Sequence, residues 1–269
     1  MIDFINIDFS IVSLCEVTVK IMEYIRDDFS VKNVLFELNQ KVKKAKFFLS
    51  REKEPKEQLK KLLYLFYNVW NFGPSKKKYK LSNMIWIDSV FKTNTGTAIS
   101  LGIIFLHIAK ILKLSIVPVI FPTQFILRVN NINNEVFFIN PFNGEILAQR
   151  VLEYWLKGNI SPTTTLSLKD ISESKPLQVI QKVLDILKIS LIEEKSIELA
   201  LRVSELLLKI NPKDPYEIRD RGLICSQLKC YNTALLDLIY FIEHCPDDPV
   251  SEIIKVQIHS IQQKKNIMN

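Results

Sequence analysis

GTAISLGIIFLHIAKILKLSIVP (residues 96–118), FPTQFILRV (121–129) and FFINPFNGE (137–145) decide how this chain folds. The TNTGT segment (93–97) leads into the first, which runs apolar on every side from Ala98 to Ala109 before Lys110 interrupts it. A helix apolar all round belongs inside a protein, so the stretch predicts a buried helix from Ala98 to about Leu114. It falls short of the roughly 20 apolar residues a membrane span requires. The β-branched and aromatic residues that follow predict strands over 116–121, 124–130 and 135–140. The NNINN segment (130–134) predicts a hairpin turn. If that turn centres on Ile132, facing positions sum to 264 and Gln124 stands opposite Asn140. Asn140-Pro-Phe-Asn-Gly then predicts a sharp turn.

On the N-terminal side the pattern is helical. Val31, Leu35, Leu38, Val42, Ala45 and Leu49 recur at steps of three and four, with Ser30 as their N-cap. Pro55 opens a second helix whose apolar face is Leu59, Leu62, Leu63, Phe66 and Trp70. The segment 71–80 reads as a loop, followed by a short helix near 82–91.

On the C-terminal side a repeat sets the organisation. NPKDP at 211–215 returns as CPDDP at 245–249, and Ala200 returns as Ala234, both at a spacing of 34 residues. That period, with a small residue in the second helix and Pro after it, is the tetratricopeptide pattern. Gly222, Tyr231, Ala234 and Pro246 complete it in the later unit, whereas the earlier one keeps only Ala200 and Pro212. Two units are fewer than the roughly three that bury a continuous core by stacking. Residues 176–192 are therefore expected to dock on the preceding core, and 250–265 to cap the far end with a more polar face.

Composition narrows the class. A 48% hydrophobic chain with 10% aromatics fills a core. Four scattered cysteines without a CxxC pair fit reduced thiols and a cytoplasmic setting, and Cys225, Cys230, His244 and Cys245 match no zinc spacing. No metal or cofactor is expected, and no membrane partner. The net charge of +7 is concentrated in lysines at 41–61 and 76–80. Those segments make a nucleic-acid or ribosome-associated factor the alternative reading, although acids interrupt the longer run.

FPTQFILR, INPFNGE, WLKGNISP and DPYEIRDRGL, together with the repeat tail, resemble the SirB-type transglutaminase-like family of bacteria. The resemblance implies an α+β fold: a mostly helical, papain-like core with a small antiparallel sheet (1–165), followed by α-helical repeats (176–269). It also implies where chemistry would sit, with a nucleophilic Cys opening the buried helix, a His starting the next strand and an Asp ending its neighbour. Those positions hold Ala98, Gln124 and Asn140. Amides accept no proton near neutral pH, so neighbouring Ser100 has no base. His107 lies seven residues further on, about 10.5 Å along the axis and out of reach. A Cys15–His107–Asn140 set has the right chain order but no local motif, and Cys15 reads as a small core residue.

The sequence therefore predicts a non-catalytic protein that engages a protein partner through its repeats. The exposed groove is expected to be lined by Lys182, Asp185 and Ile189 in one unit and by Tyr216, Arg219 and Leu223 in the other. Tyr216 and Arg219 would be the main contacts for an acidic or aromatic partner segment.

Overall fold

The computed structural model describes residues 7–75, 80–132 and 135–268. Two units are distinguished, Met1–Val183 and Leu184–Asn269.

In the first unit, α1 (Leu14–Ile25) starts at a complete capping box, with the Ser13 hydroxyl accepting from the Glu16 amide and the Glu16 carboxylate accepting from the Ser13 amide. Helix α2 (Val31–Leu49) is capped by Ser30, and α3 (Pro55–Leu63) has its proline at the first turn. The periodicity that continues past Leu63 is carried by a π-helical turn, Tyr64–Val69. A 3₁₀ turn (Leu81–Met84) and α4 (Ile87–Thr93) lead into α5 (Ala98–Ile111).

Helix α5 is the centre of this unit. It packs against α1, α2, α4 and the first two strands. Its residues from Ala98 to Ala109 are all buried, and each large aliphatic side chain among them contributes roughly 1.5–3 kcal/mol. It stops at Ile111, earlier than periodicity predicts, because Lys113 adopts a left-handed conformation (φ 61°) that ends the helix.

The sheet is an antiparallel meander, β1 (Ile116–Ile120), β2 (Phe125–Ile132), β3 (Glu135–Ile139) and β4 (Ile146–Leu147), in that order. The two-residue β4 is too short to carry a sequence signal. The register corrects the predicted one. Leu127 faces Ile139 and Val129 faces Phe137, so these pairs sum to 266 rather than 264, and the pairing shifts again at a bulge before Ile132 and Glu135. The NNINN segment does not act as a symmetric five-residue turn. Strand β2 runs on through Asn130 and Asn131, and the bulge absorbs the extra residue. Gln124 precedes β2 and is therefore not the cross-strand partner of Asn140.

One face of the sheet packs Val119, Phe121, Ile126 and Phe138 against Leu152 and Leu156 of α6 (Gln149–Asn159). The segment after α6 is tied to the sheet by three hydrogen bonds. Arg128 donates to the Ile171 carbonyl (2.8 Å), Ser174 N–H to the Pro118 carbonyl (2.9 Å), and Ile120 N–H to the Ser174 hydroxyl (2.8 Å). Helix α7 (Pro176–Glu193) follows, and the division between the units falls within it.

The second unit continues with α8 (Ile197–Ile210), α9 (Pro215–Gln227), α10 (Tyr231–His244) and α11 (Ser251–Met268). Small residues at the repeat positions let α9 and α10 approach closely. A Cβ at Gly222 would stand 2.9 Å from the Asp237 Cβ, and Ala234 is fully buried. Cys225, Ala234, Leu238 and Phe241 form the core together with Ile254 and Ile261 of α11. The outer side of α11 is mostly polar, but Ile253 and Val256 stand 60% and 68% exposed on it.

Candidate functional site

The elements carrying Ala98, Gln124 and Asn140 converge, but on apolar packing. Gly102 lies one turn into α5 from Ala98. A Cβ there would meet the Phe125 ring at 2.5 Å and the Pro141 Cβ at 3.4 Å, and these two residues follow Gln124 and Asn140 in the chain. Aromatic bulk therefore occupies the place where the three elements meet. The π-helical turn adds another ring: the Tyr67 hydroxyl donates to the Pro141 carbonyl (2.9 Å), and burial pushes its pKa up. Gly144, at φ 74°, passes so close under that ring that a Cβ would stand 2.3 Å from it.

Each polar group near these positions has a local role. Asn140 organises the turn after β3: its side-chain oxygen accepts from the Phe142 amide (3.1 Å), and its carbonyl accepts from the Gly144 amide (2.8 Å). Ala98 is buried. The Ser100 hydroxyl donates to the Met84 carbonyl (2.7 Å) and accepts from the Thr97 amide (2.9 Å), closing the capping box of α5. Gln124 differs, for its side-chain nitrogen is buried without a hydrogen-bond partner, as is the neighbouring Thr123 hydroxyl. No hydrogen bond joins Gln124 to Asn140 among the described residues, so the predicted pair is not formed.

His107 is engaged elsewhere. Its Nδ1 lies 2.7 Å from the Ser13 hydroxyl, and burial holds its pKa below the usual histidine range. Cys15 is fully buried, and desolvation pushes its thiol far up. The Cys15–His107–Asn140 set is therefore not assembled as a hydrogen-bonded relay. A cavity of about 380 Å³ does open on this unit, lined by neutral amides, hydroxyls and rings that include Asn68, Asn71, Thr95, Asn143 and Phe72.

The second unit holds a charge network that sequence reasoning missed. Lys188 is 4% exposed and donates to Glu217 and to Asp220 (2.8 Å), while the Ser204 hydroxyl donates to the other oxygen of Glu217. Burial works against the Lys188 charge, but the two carboxylates outweigh it and hold the pKa above the ordinary lysine value. Arg221 grips buried Asp237 with two bonds of 2.7 Å. The signal was legible, since Lys188 sits on the same face as Leu184, Leu187 and Leu191, where a solvated lysine does not belong.

The predicted groove residues are placed as follows. Lys182 is exposed. Tyr216 is 47% exposed, and its hydroxyl donates to Asp248 (3.0 Å). Arg219 pairs with Asp220 (2.7 Å), and its guanidinium lies 5.4 and 5.2 Å from the ring centres of Tyr216 and Phe241.

Comparison with known proteins places this architecture. A transglutaminase-like superfamily model matches residues 31–185, and a tetratricopeptide repeat model matches 187–259. Protein SirB1 of Salmonella typhimurium is 50% identical over 264 residues, 98% of each chain. The chain belongs to the SirB1/UPF0162 family. A UPF0162 protein of Buchnera aphidicola subsp. Schizaphis graminum is 60% identical over 269 residues, the full length of both chains, and UPF0162 protein YchA of Escherichia coli is 48% identical over 264. No solved structure matches.

In this SirB1-family chain several of the basic residues at 41–61 are locally committed. Lys41 lies over the rings of Trp70 and Phe72, Lys60 pairs with Glu57, and Lys61 with Glu52. Of the 76–80 segment, residues 76–79 lie outside the described residues. No helix among the described residues is long and apolar enough to cross a membrane.

Proposed function

We propose that the chain is a non-catalytic interaction or regulatory protein in which the transglutaminase-like core serves as a scaffold. One observation carries this reading. Ala98, Gln124 and Asn140, the positions the family resemblance assigns to nucleophile, base and orienting acid, hold a methyl group and two amides. Thiol-type acyl transfer needs a thiolate and a group to take its proton, and none of the three can supply either. The rings of Phe125 and Tyr67 packed around the same point support it, as does the commitment of Ser100 to the helix cap.

Tetratricopeptide repeats are protein-interaction elements, and the tail is the proposed contact surface. Tyr216 and Arg219 present an aromatic face and a guanidinium together, and Lys182 adds an exposed cation. Because Arg219 already pairs with Asp220, a partner's carboxylate would share that cation rather than meet it bare. A cytoplasmic setting fits four free thiols.

The activity test is amine incorporation into glutamine-containing protein, combined with an electrophilic thiol probe read by peptide mapping. No turnover is expected, and labelling should be confined to Cys230 and Cys245, the two thiols that are not buried. Turnover above a denatured control, or labelling at Cys15 in the folded protein, overturns the reading.

A further inference from the structure

Helix α2 turns Val34, Leu38, Val42, Ala45 and Leu49 inward. Its opposite side departs from the pattern of a solvated helix face, because Phe36 is 60% and Phe47 84% exposed. At 3.6 residues per turn Lys43 follows Phe36 by about two turns and Phe47 by about three. The three form one row roughly 16 Å long on the side away from the core. Lys32 and Lys46 border the row on one flank and Lys44 on the other. Among the described residues none of these four lysines is in an ion pair, and Glu37 is the one carboxylate on the helix.

A single exposed apolar side chain is ordinary. Two phenylalanines in register, set within unpaired cations, form a surface of defined chemistry. It requires a partner with apolar depth beneath a layer of negative charge. Duplex phosphates would satisfy the lysines but leave both rings in water, whereas an apolar protein groove would take the rings and strand the lysines. We propose that this face of α2 docks in the plane of an anionic phospholipid surface. Phe36 and Phe47 enter the acyl boundary, and Lys32, Lys43, Lys44 and Lys46 extend to the lipid phosphates. This mode needs no membrane-spanning helix, and it is independent of whether the core is catalytic.

The test is co-sedimentation of the full-length protein with vesicles of phosphatidylcholine, and with about a third of that lipid replaced by phosphatidylglycerol, at low and high salt. Binding is expected to the anionic vesicles only, and to weaken as salt rises. Each lysine near such a surface contributes roughly a factor of five, so Lys43→Glu/Lys44→Glu should lower the partition coefficient at least twentyfold. Phe36→Ser/Phe47→Ser should lower it about tenfold or more. Both variants change solvent-facing positions, so their melting temperatures should match the parent's. Failure to sediment with anionic vesicles overturns the proposal, as does undiminished binding by the phenylalanine variant. Lysine-dependent binding to nucleic acid or to polyglutamate without vesicle binding also overturns it.

Discussion

The two units solve the problem of a unique interior by opposite means. Around α5 the first unit is specified by shape. Twelve consecutive buried residues include one ionisable side chain, His107, and the tightest approaches are a glycine under Phe125 and a glycine under Tyr67. The second unit is specified by charge, with Lys188, Glu217 and Asp237 each less than 10% exposed and each paired. Packing loss is graded, whereas a buried charge stripped of its partner is costly at once. The two interiors should therefore fail differently.

The largest effect should come from cutting the chain after residue 175. The part of α7 that belongs to the first unit carries Val179, Ile180 and Val183, at most 3% exposed. Losing them removes roughly 1.5–3 kcal/mol each, which is most of a typical domain's stability. Fragment 1–175 should aggregate or melt far below fragment 1–193. Equal melting temperatures would show that α7 is dispensable to the core.

Next in size is Lys188→Met, which leaves Glu217 buried without its cation and held by the Ser204 hydroxyl alone. It should cost about 3–5 kcal/mol in the urea transition of the tail. The double variant Lys188→Met/Glu217→Leu should recover much of that loss. If the single change costs under about 1 kcal/mol, charge is not what specifies this interior.

Shape is tested with glycines. Gly144→Ala combines a left-handed φ with a clash on Tyr67 and should cost about 2–4 kcal/mol, and Gly102→Ala about 1–3 kcal/mol. Gly158, in α6, has nothing within 4 Å of where a Cβ would stand, so Gly158→Ala should stabilise by roughly 0.5–1 kcal/mol. Equal effects at the three sites would mean that the packing at Phe125 and Tyr67 is loose.

The smallest effect belongs to His107. Burial depresses its pKa in the folded chain, so below about pH 6.5 the unfolded chain binds the extra proton first. Its contribution is complete above that pH and is lost as pH falls through the folded value. The urea midpoint should drop between pH 7.5 and about 5, and His107→Phe should flatten that drop. An identical slope in the variant would assign it to other groups.

Much of this was legible along the chain because it is local. The all-apolar run at 98–109 specifies burial whatever its neighbours are. The cap at Ser30 and the proline of α3 set helix starts within a few residues. The 34-residue spacing of Ala200 and Ala234 specifies the repeat. That Ala98, Gln124 and Asn140 carry no thiol, imidazole or carboxylate is also a property of residue identity alone. The tertiary structure decided what depends on how segments meet. The observed pairing of β2 with β3 sums to 266 rather than the expected 264, with a one-residue bulge on the turn side, and so separates Gln124 from Asn140; no local pattern announces that offset in a polar turn. It likewise chose Ser13 for His107 and Glu217 for Lys188, partners 94 and 29 residues away. Spacing sets which face a side chain occupies, but which group waits on the other side is fixed only when the faces close.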